Sequence, residues 1–328
     1  MGRDGTAWQV LLDLVKGEAS EPEGRLGKFW TPGADEERVM RFPCVFRIGR
    51  AKPRRKVFSK MAGVAAALIF FLSVAAFPSF LRGEDLIAGI GLTRLEVYDQ
   101  RPAPDGLNSG SPHIHAVTDE GYYVLSGRGR VELHDLQHGF RTVELTPGRY
   151  LQYPPGVLHR LVSTDHLVLL VVMGNAGLAE HGDARIYFGK KVDENPAEFA
   201  RLVGLAAAQG LEGALKRRDA AVRAYLGLLD LWAKDRTAYF AELKRFIDVH
   251  MKAAAGLRAD FSKAVESGPV AWGEKFRRRV ADLPLIREGP APLLYVPSEQ
   301  TTLGMCGILK PVTNLEPVLG PESAALKK

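Results

Sequence analysis

Cysteine is scarce: the chain has two in 328 residues, Cys44 and Cys306. That is too few for a disulfide framework or a thiolate-built metal site. An uncharged run separates the two, so bonding them would need both sulfurs in one compartment, and two free thiols are expected. Internal repeats, a nucleotide-binding glycine loop and a Ser-His-Asp arrangement are also missing. A general cationic excess is missing too, despite a net charge of +6. Arg41, Arg47, Arg50, Lys52, Arg54, Arg55, Lys56 and Lys60 fall within residues 41–60 with no acid among them, which leaves the rest of the chain at about −2. The folded part therefore has no surplus positive charge to offer phosphates, and nucleic-acid binding is set aside. A hydrophobic share of 46% against 25% charged residues excludes a largely disordered chain.

One long apolar run is present. Ala62–Phe80 holds nineteen residues without a charge, close to the ~20 needed to cross a bilayer as a helix. The basic run abuts its N-terminal side and Glu84 and Asp85 follow it, so the positive-inside bias puts residues 1–60 in the cytoplasm and the rest across the membrane. Two readings are open: an uncleaved signal anchor, or an export signal with its true start at Met40 and small residues at Ser73-Val74-Ala75 for cleavage. Arg54-Arg55 with Phe58 and Lys60 resembles a twin-arginine export signal, with one residue too many before the phenylalanine. On either reading residues 61–82 are the transmembrane or signal segment, residues 1–60 are a tail, and the folded part is membrane-anchored or exported.

From residue 84 to 190 the pattern changes to short runs rich in β-branched and aromatic residues. They are separated by turns at Asp105-Gly106, Gly127–Gly129, His138-Gly139 and Pro154-Pro155-Gly156. So many short strands in so little chain imply a sandwich or a closed two-sheet barrel. His113 and His115 stand two apart, on one face of an extended strand. Glu120 follows after four residues, room for a turn back to that face, and Gly127 comes six residues later. Downstream, Gly148, Pro154, Gly156 and His159 precede Ser163.

These two stretches, 110–127 and 148–163, resemble the paired signature of the cupin superfamily. The first family motif is His-x-His, three or four residues, Glu, six residues, Gly, preceded by a glycine that would fall at Leu107. The second is Gly, five residues, Pro-x-Gly, two residues, His, three residues, Asn, with Ser163 here in place of the asparagine. The resemblance implies an all-β jelly-roll barrel in which His113, His115, Glu120 and His159 bind one divalent transition metal, with Fe or Mn favoured over Ni, Cu and Zn. Three nitrogens and one oxygen suit such ions better than Ca or Mg. It implies a metal-dependent enzyme acting on a small organic molecule, dioxygenase-like first, with isomerase, decarboxylase and lyase chemistry also represented among cupins. The alternatives are a non-catalytic module that binds or senses a small molecule or sugar, and a structural domain of an envelope assembly.

Glu120 is also the expected catalytic probe, as the only anionic ligand. Tyr122 and Val124 share its face by alternation and line the cavity, Tyr122 as a candidate for a substrate hydrogen bond. His134 and His138 bracket a hairpin turn and are expected in solvent. Arg149 and Arg160 fall beside inward positions and are expected to face out.

Residues 194–283 read as helical. Asn195-Pro196-Ala197-Glu198 supplies an N-cap, a first-turn proline and a Glu three residues on. Ala221, Tyr225, Leu228, Leu229 and Trp232 form one apolar stripe, and Tyr239, Leu243, Phe246, Ile247 and Met251 a second. His250 falls beside the second stripe as a packed or hydrogen-bonded core residue. The helices could pack on the barrel, cap its mouth or build an oligomer interface, and a homodimer is expected. Residues 284–328 hold seven prolines and read as an extended tail, with a strand at Thr302–Pro311.

Overall fold

The computed structural model describes residues 86–175, 177–283, 291–297 and 299–318. The basic run, the apolar run 62–80 and Cys44 lie outside the described residues. Among the described residues no helix is long and apolar enough to cross a membrane.

Ten strands form one hydrogen-bonded system: β1 (Gly91–Val97), β2 (Asn108–Ser109), β3 (His113–His115), β4 (Glu120–Asp135), β5 (Gly139–Leu145), β6 (Tyr150–Tyr153), β7 (Leu158–Met173), β8 (Ala184–Ile186), β10 (Thr302–Leu303) and β11 (Gly307–Pro311). A separate two-stranded ribbon pairs β9 (Leu293–Leu294) with β12 (Glu316–Pro317). β4 and β7 are antiparallel partners along sixteen residues each, and their register shifts between Val124 and Gly129. Such irregularities bend a strand pair, and here they divide the system into two halves. One half runs β6, the start of β4, the end of β7, β1, β11 and β10. The other runs β5, the end of β4, the start of β7, then β2 and β3, with β8 outside β3. Ser163 lies at the bend, and its Oγ accepts the Leu167 amide at 3.0 Å.

Alternation decides what fills the space between the halves. Leu95, Tyr122, Val124, Val131, Leu133, Tyr153, Leu161, Leu169 and Cys306 meet in one buried cluster drawn from both. Tyr122 is thus packed in the core, on Glu120's side of its strand.

The helices are α1 (Lys190–Asp193), α2 (Pro196–Val203), α3 (Leu205–Lys234, broken at Gly210), α4 (Arg236–Ala255), α5 (Arg258–Val265) and, after a π turn, α6 (Ala271–Ala281). Asn195 caps α2 by accepting the Glu198 amide at 3.2 Å, with Pro196 in the first turn. Asp235 caps α4 in the same way through Ala238. Both apolar stripes are core faces: Tyr225, Leu228, Tyr239, Leu243 and Phe246 pack with Ile114, Leu158 and Tyr187. Ile114 and Leu158 point away from the barrel interior, so α3 and α4 cover the outer face of the half that carries the histidines. Burying each such side chain contributes roughly 1.5–3 kcal/mol.

That cover corrects two expectations. Arg160 and His134 do point away from the interior, yet both are fully buried. The His134 ring nitrogens meet the Tyr239 and Tyr225 hydroxyls at 2.9 and 2.7 Å. Arg160 reaches Ser109 Oγ at 2.7 Å, Asp105 at 2.8 Å and Glu132 at 3.4 Å, and Tyr225 donates to Glu132 at 3.1 Å. The alternation holds; the solvent does not, because a second layer stands there. His138 and Arg149 are exposed, as their positions suggest.

Candidate metal centre

The register of the strands brings the four motif residues together. His113 is paired across to His159, which is itself opposite Leu133, so two imidazoles sit on one rung facing inward. His115 is one inward position further along β3. Glu120 opens β4 in the other half, opposite Met173 and Tyr153. One donor atom from each of these four residues lies within 4.8 Å of the others, and all four residues are buried.

Asp183, just before β8, shapes the turn that returns Glu120 to the histidines. Its Oδ1 accepts the backbone amides of Ala116, Val117 and Thr118 at 3.0, 2.6 and 3.3 Å. Its Oδ2 accepts from His115 Nδ1 at 2.9 Å. His250 in α4 donates from Nε2 to the Asp183 carbonyl at 2.7 Å, tying the helical layer to this turn. The sequence expectation of a hydrogen-bonded core histidine is met.

The outer nitrogens of the other two rings are held as well. His113 Nδ1 donates to the Ser111 carbonyl at 3.0 Å and His159 Nδ1 to the Val157 carbonyl at 3.1 Å. A carbonyl can only accept, so each Nδ1 carries the proton and a neutral ring turns the Nε2 lone pair inward. The two Nε2 atoms stand 3.0 Å apart. Two lone pairs at that separation repel unless a proton or a cation lies between them. His115 Nε2 is buried without a hydrogen-bond partner, 3.2 Å from Glu120 Oε2, and His159 Nε2 is at the same distance from that oxygen. The residues therefore fit a bound cation.

Electrostatics agree. Burial and the neighbouring His159 and His115 hold His113 well below the ordinary imidazole range. Burial disfavours charge on His115, but Glu120 and Asp183 outweigh it and push its pKa up to about 9. Burial alone would raise Glu120; His115 and His159 instead hold it well below the usual carboxylate range. A carboxylate is thus kept ionised among imidazoles, and a metal ion and a proton compete for the same inward lone pairs.

Three residues at the site have no local signal in the sequence. Tyr153 donates to Glu120 Oε2 at 2.6 Å and stands 2.7 Å from the Tyr122 hydroxyl. Burial and the Glu120 charge raise both phenols well above the ordinary range, so both stay protonated. Asp183 is the second, identifiable only once β8 is placed beside β3. Cys306 is the third, with Sγ 3.6 Å from His113 Nε2. A groove of about 500 Å³ opens beside the turn, lined by Ala116, Val117, Met251, Arg258 and Phe261 among others.

The fold and the cluster define a class: a bent two-sheet β-barrel with three imidazoles and a carboxylate gathered between its halves. Residues 101–173 match the family model described as "Cupin domain", so this part of the chain is a cupin domain. Solved structures similar to it include a cupin protein from Bacteroides fragilis, 20% identical, covering 27% of this chain and 68% of that one with a TM-score of 0.21. The capsular polysaccharide assembling protein CapF from Staphylococcus aureus is 13% identical, covering 30% and 26% with a TM-score of 0.24. HppE, in a structure described as its Fe(II) form, is 20% identical, covering 26% and 43% with a TM-score of 0.21. No curated protein matches the sequence.

Proposed function

We propose that this chain is a metal-dependent cupin enzyme acting on a small organic molecule, with His113, His115, Glu120 and His159 as ligands of one divalent transition ion. The observation that carries the reading is the convergence of three inward Nε2 atoms on an ionised carboxylate, with each outer Nδ1 held by an oxygen acceptor. Such an ion, iron or manganese before nickel, copper or zinc, would supply Lewis-acid polarisation and a site for dioxygen. We place dioxygen-dependent oxidation of a small chelating molecule first among the reaction classes.

The protein's own contribution is orientation and exclusion of water. Ser111, Val157 and Asp183 fix the imidazole rings, and Tyr153 holds one oxygen of Glu120. Leu133, opposite His159, and Val157 and Leu161, two residues to either side of it, belong to the buried apolar cluster, and apolar surroundings strengthen charge interactions. The groove beside Ala116 and Val117 offers a small molecule an approach to the turn between two ligands.

The second reading is a binding module without turnover. It is favoured by the burial of the donors: none of the four residues is more than 4% exposed. One comparison separates the two. Metal-loaded wild type and Glu120→Gln are incubated with candidate substrates, with and without dioxygen, while oxygen uptake and product are followed. An enzyme shows turnover in the wild type and a large loss of rate in the variant. Tight binding of a small molecule that is left chemically unchanged under both conditions overturns the enzyme reading.

A further inference from the structure

The C-terminal hairpin of β10 and β11 reaches the metal centre. Its turn, Gly304–Gly307, is held against the barrel on several sides. Ser111 N donates to the Met305 carbonyl at 2.9 Å, Tyr98 Oη to the Gly304 carbonyl at 2.8 Å, and Arg217 to the same carbonyl at 2.5 Å. Two glycines make the approach possible. A Cβ on Gly110 would lie 2.6 Å from Cys306 Cα, and one on Gly307 would lie 1.9 Å from the Glu96 carbonyl oxygen. The turn is therefore pressed against barrel backbone at two successive residues, Cys306 on Gly110 and Gly307 on Glu96, and the Cys306 side chain lies in the interior cluster. There the sulfur is 3.6 Å from His113 Nε2 and 3.9 Å from Nδ1.

We propose that Cys306 is a fifth, sulfur ligand of the metal centre, carried to it by the C-terminal hairpin. The inference rests on the metal reading above and deepens it. Two ligands of one ion, nitrogen at ~2.1 Å and sulfur at ~2.3 Å, stand roughly 3.1–3.7 Å apart when they are neighbours in the coordination shell. Sγ already stands at that separation from Nε2, but beside the ring, with Nδ1 at 3.9 Å, so it is within one side-chain rotation of the ion's side of the imidazole. Apart from the cysteine, His115 Nε2, buried without a hydrogen-bond partner among the described residues and 3.2 Å from Glu120 Oε2, marks the same interior as fit for a cation. The sulfur lies against His113, outside the set of four mutually close donors, so ligation asks for a rotation of the Cys306 side chain. A soft donor narrows the choice of metal. Iron, cobalt, copper or zinc gains over manganese, which prefers oxygen ligands.

Cobalt(II) is the probe, because its bond to sulfur gives a near-ultraviolet charge-transfer band while its visible bands report binding by any donors. Metal-stripped full-length protein is titrated anaerobically with cobalt, alongside Cys44→Ser and Cys306→Ser. The expected result is a near-ultraviolet band that grows with the visible bands to one equivalent in the wild type and in Cys44→Ser. Cys306→Ser should bind one cobalt without that band and more weakly, by at least the ~10-fold that loss of an outer-shell partner costs. Visible bands without the sulfur band in the wild type overturn the proposal and leave the metal reading standing. No cobalt uptake at all overturns both. Should Cys306→Ser fail to fold, the wild type and Cys44→Ser decide the matter, because the chain has only these two cysteines.

Discussion

A histidine ligand is only as good as the group behind it. His115 differs from its two neighbours because its Nδ1 faces a carboxylate, Asp183, rather than a carbonyl. That oxygen makes the imidazole a stronger donor, while its twin pins three amides of the turn leading to Glu120. Asp183→Asn should therefore weaken metal binding by about 10- to 100-fold with the ion count unchanged at saturation; competition with a chelating indicator measures this. His113→Ala and His159→Ala remove donors outright and should abolish uptake of the one metal ion per chain, read by elemental analysis. Protons contest the same lone pairs, so occupancy should fall as the pH is lowered. Retention of metal by both alanine variants would refute the ligand assignment.

At the scale of elements, the helical layer turns a solvent face of the barrel into an interior. His134 and His250 show its cost in acid. Burial lowers the pKa of His134 to about 3 and that of His250 to about 4, against ~6.5 in an unfolded chain. The unfolded state thus binds protons first as pH falls. The stability these residues contribute is complete above pH ~6.5 and is lost progressively towards their folded values. The slope approaches ~1.4 kcal/mol per pH unit for each. Between pH 7 and 5 each should cost the protein roughly 2 kcal/mol. Urea unfolding at the two pH values measures the loss, and His134→Leu should reduce the pH dependence by roughly its own ~2 kcal/mol share while lowering stability at pH 7, since Tyr225 and Tyr239 lose a partner. An unchanged slope in the variant would count against the assignment.

The same layer sets what can be removed. A chain ending at residue 190 would expose Ile114 and Leu158, leave Glu132 and Arg160 without Tyr225 above them, and lack the β11 edge that pairs with β1 along five residues. It should be insoluble or unfolded, although it contains every motif residue. A soluble, metal-binding fragment of that length would show that the barrel is independent of its cover.

For the whole molecule, the uncharged run 62–80 proposes an address for the barrel. A reporter fused after residue 190 should act as extracytoplasmic and one near residue 50 as cytoplasmic, and the N-terminus of mature protein tells anchor from cleaved signal. A full-length chain recovered entirely in the cytoplasm would overturn this.

The sequence by itself determined a run of short strands and, through its resemblance to the cupin motifs, the four residues that gather between the halves, because both are written over short stretches of chain. A two-residue step places His113 and His115 on one face of a strand, a four-residue gap returns Glu120, and a proline-glycine turn precedes His159. Helix starts at Asn195 and Asp235 and the stripes of α3 and α4 are local for the same reason: a cap bonds three residues ahead, and a helix face repeats within a turn. What depended on partners far along the chain was decided only by tertiary structure. Strand alternation could say that Arg160 and His134 point outward, but not that helices sixty or more residues later would stand there. Tyr153, Asp183 and Cys306 reach the centre through cross-strand register and through a hairpin near the C-terminus. Pairing between distant strands is settled by which faces can be buried together, a property of the whole molecule that no window of sequence contains.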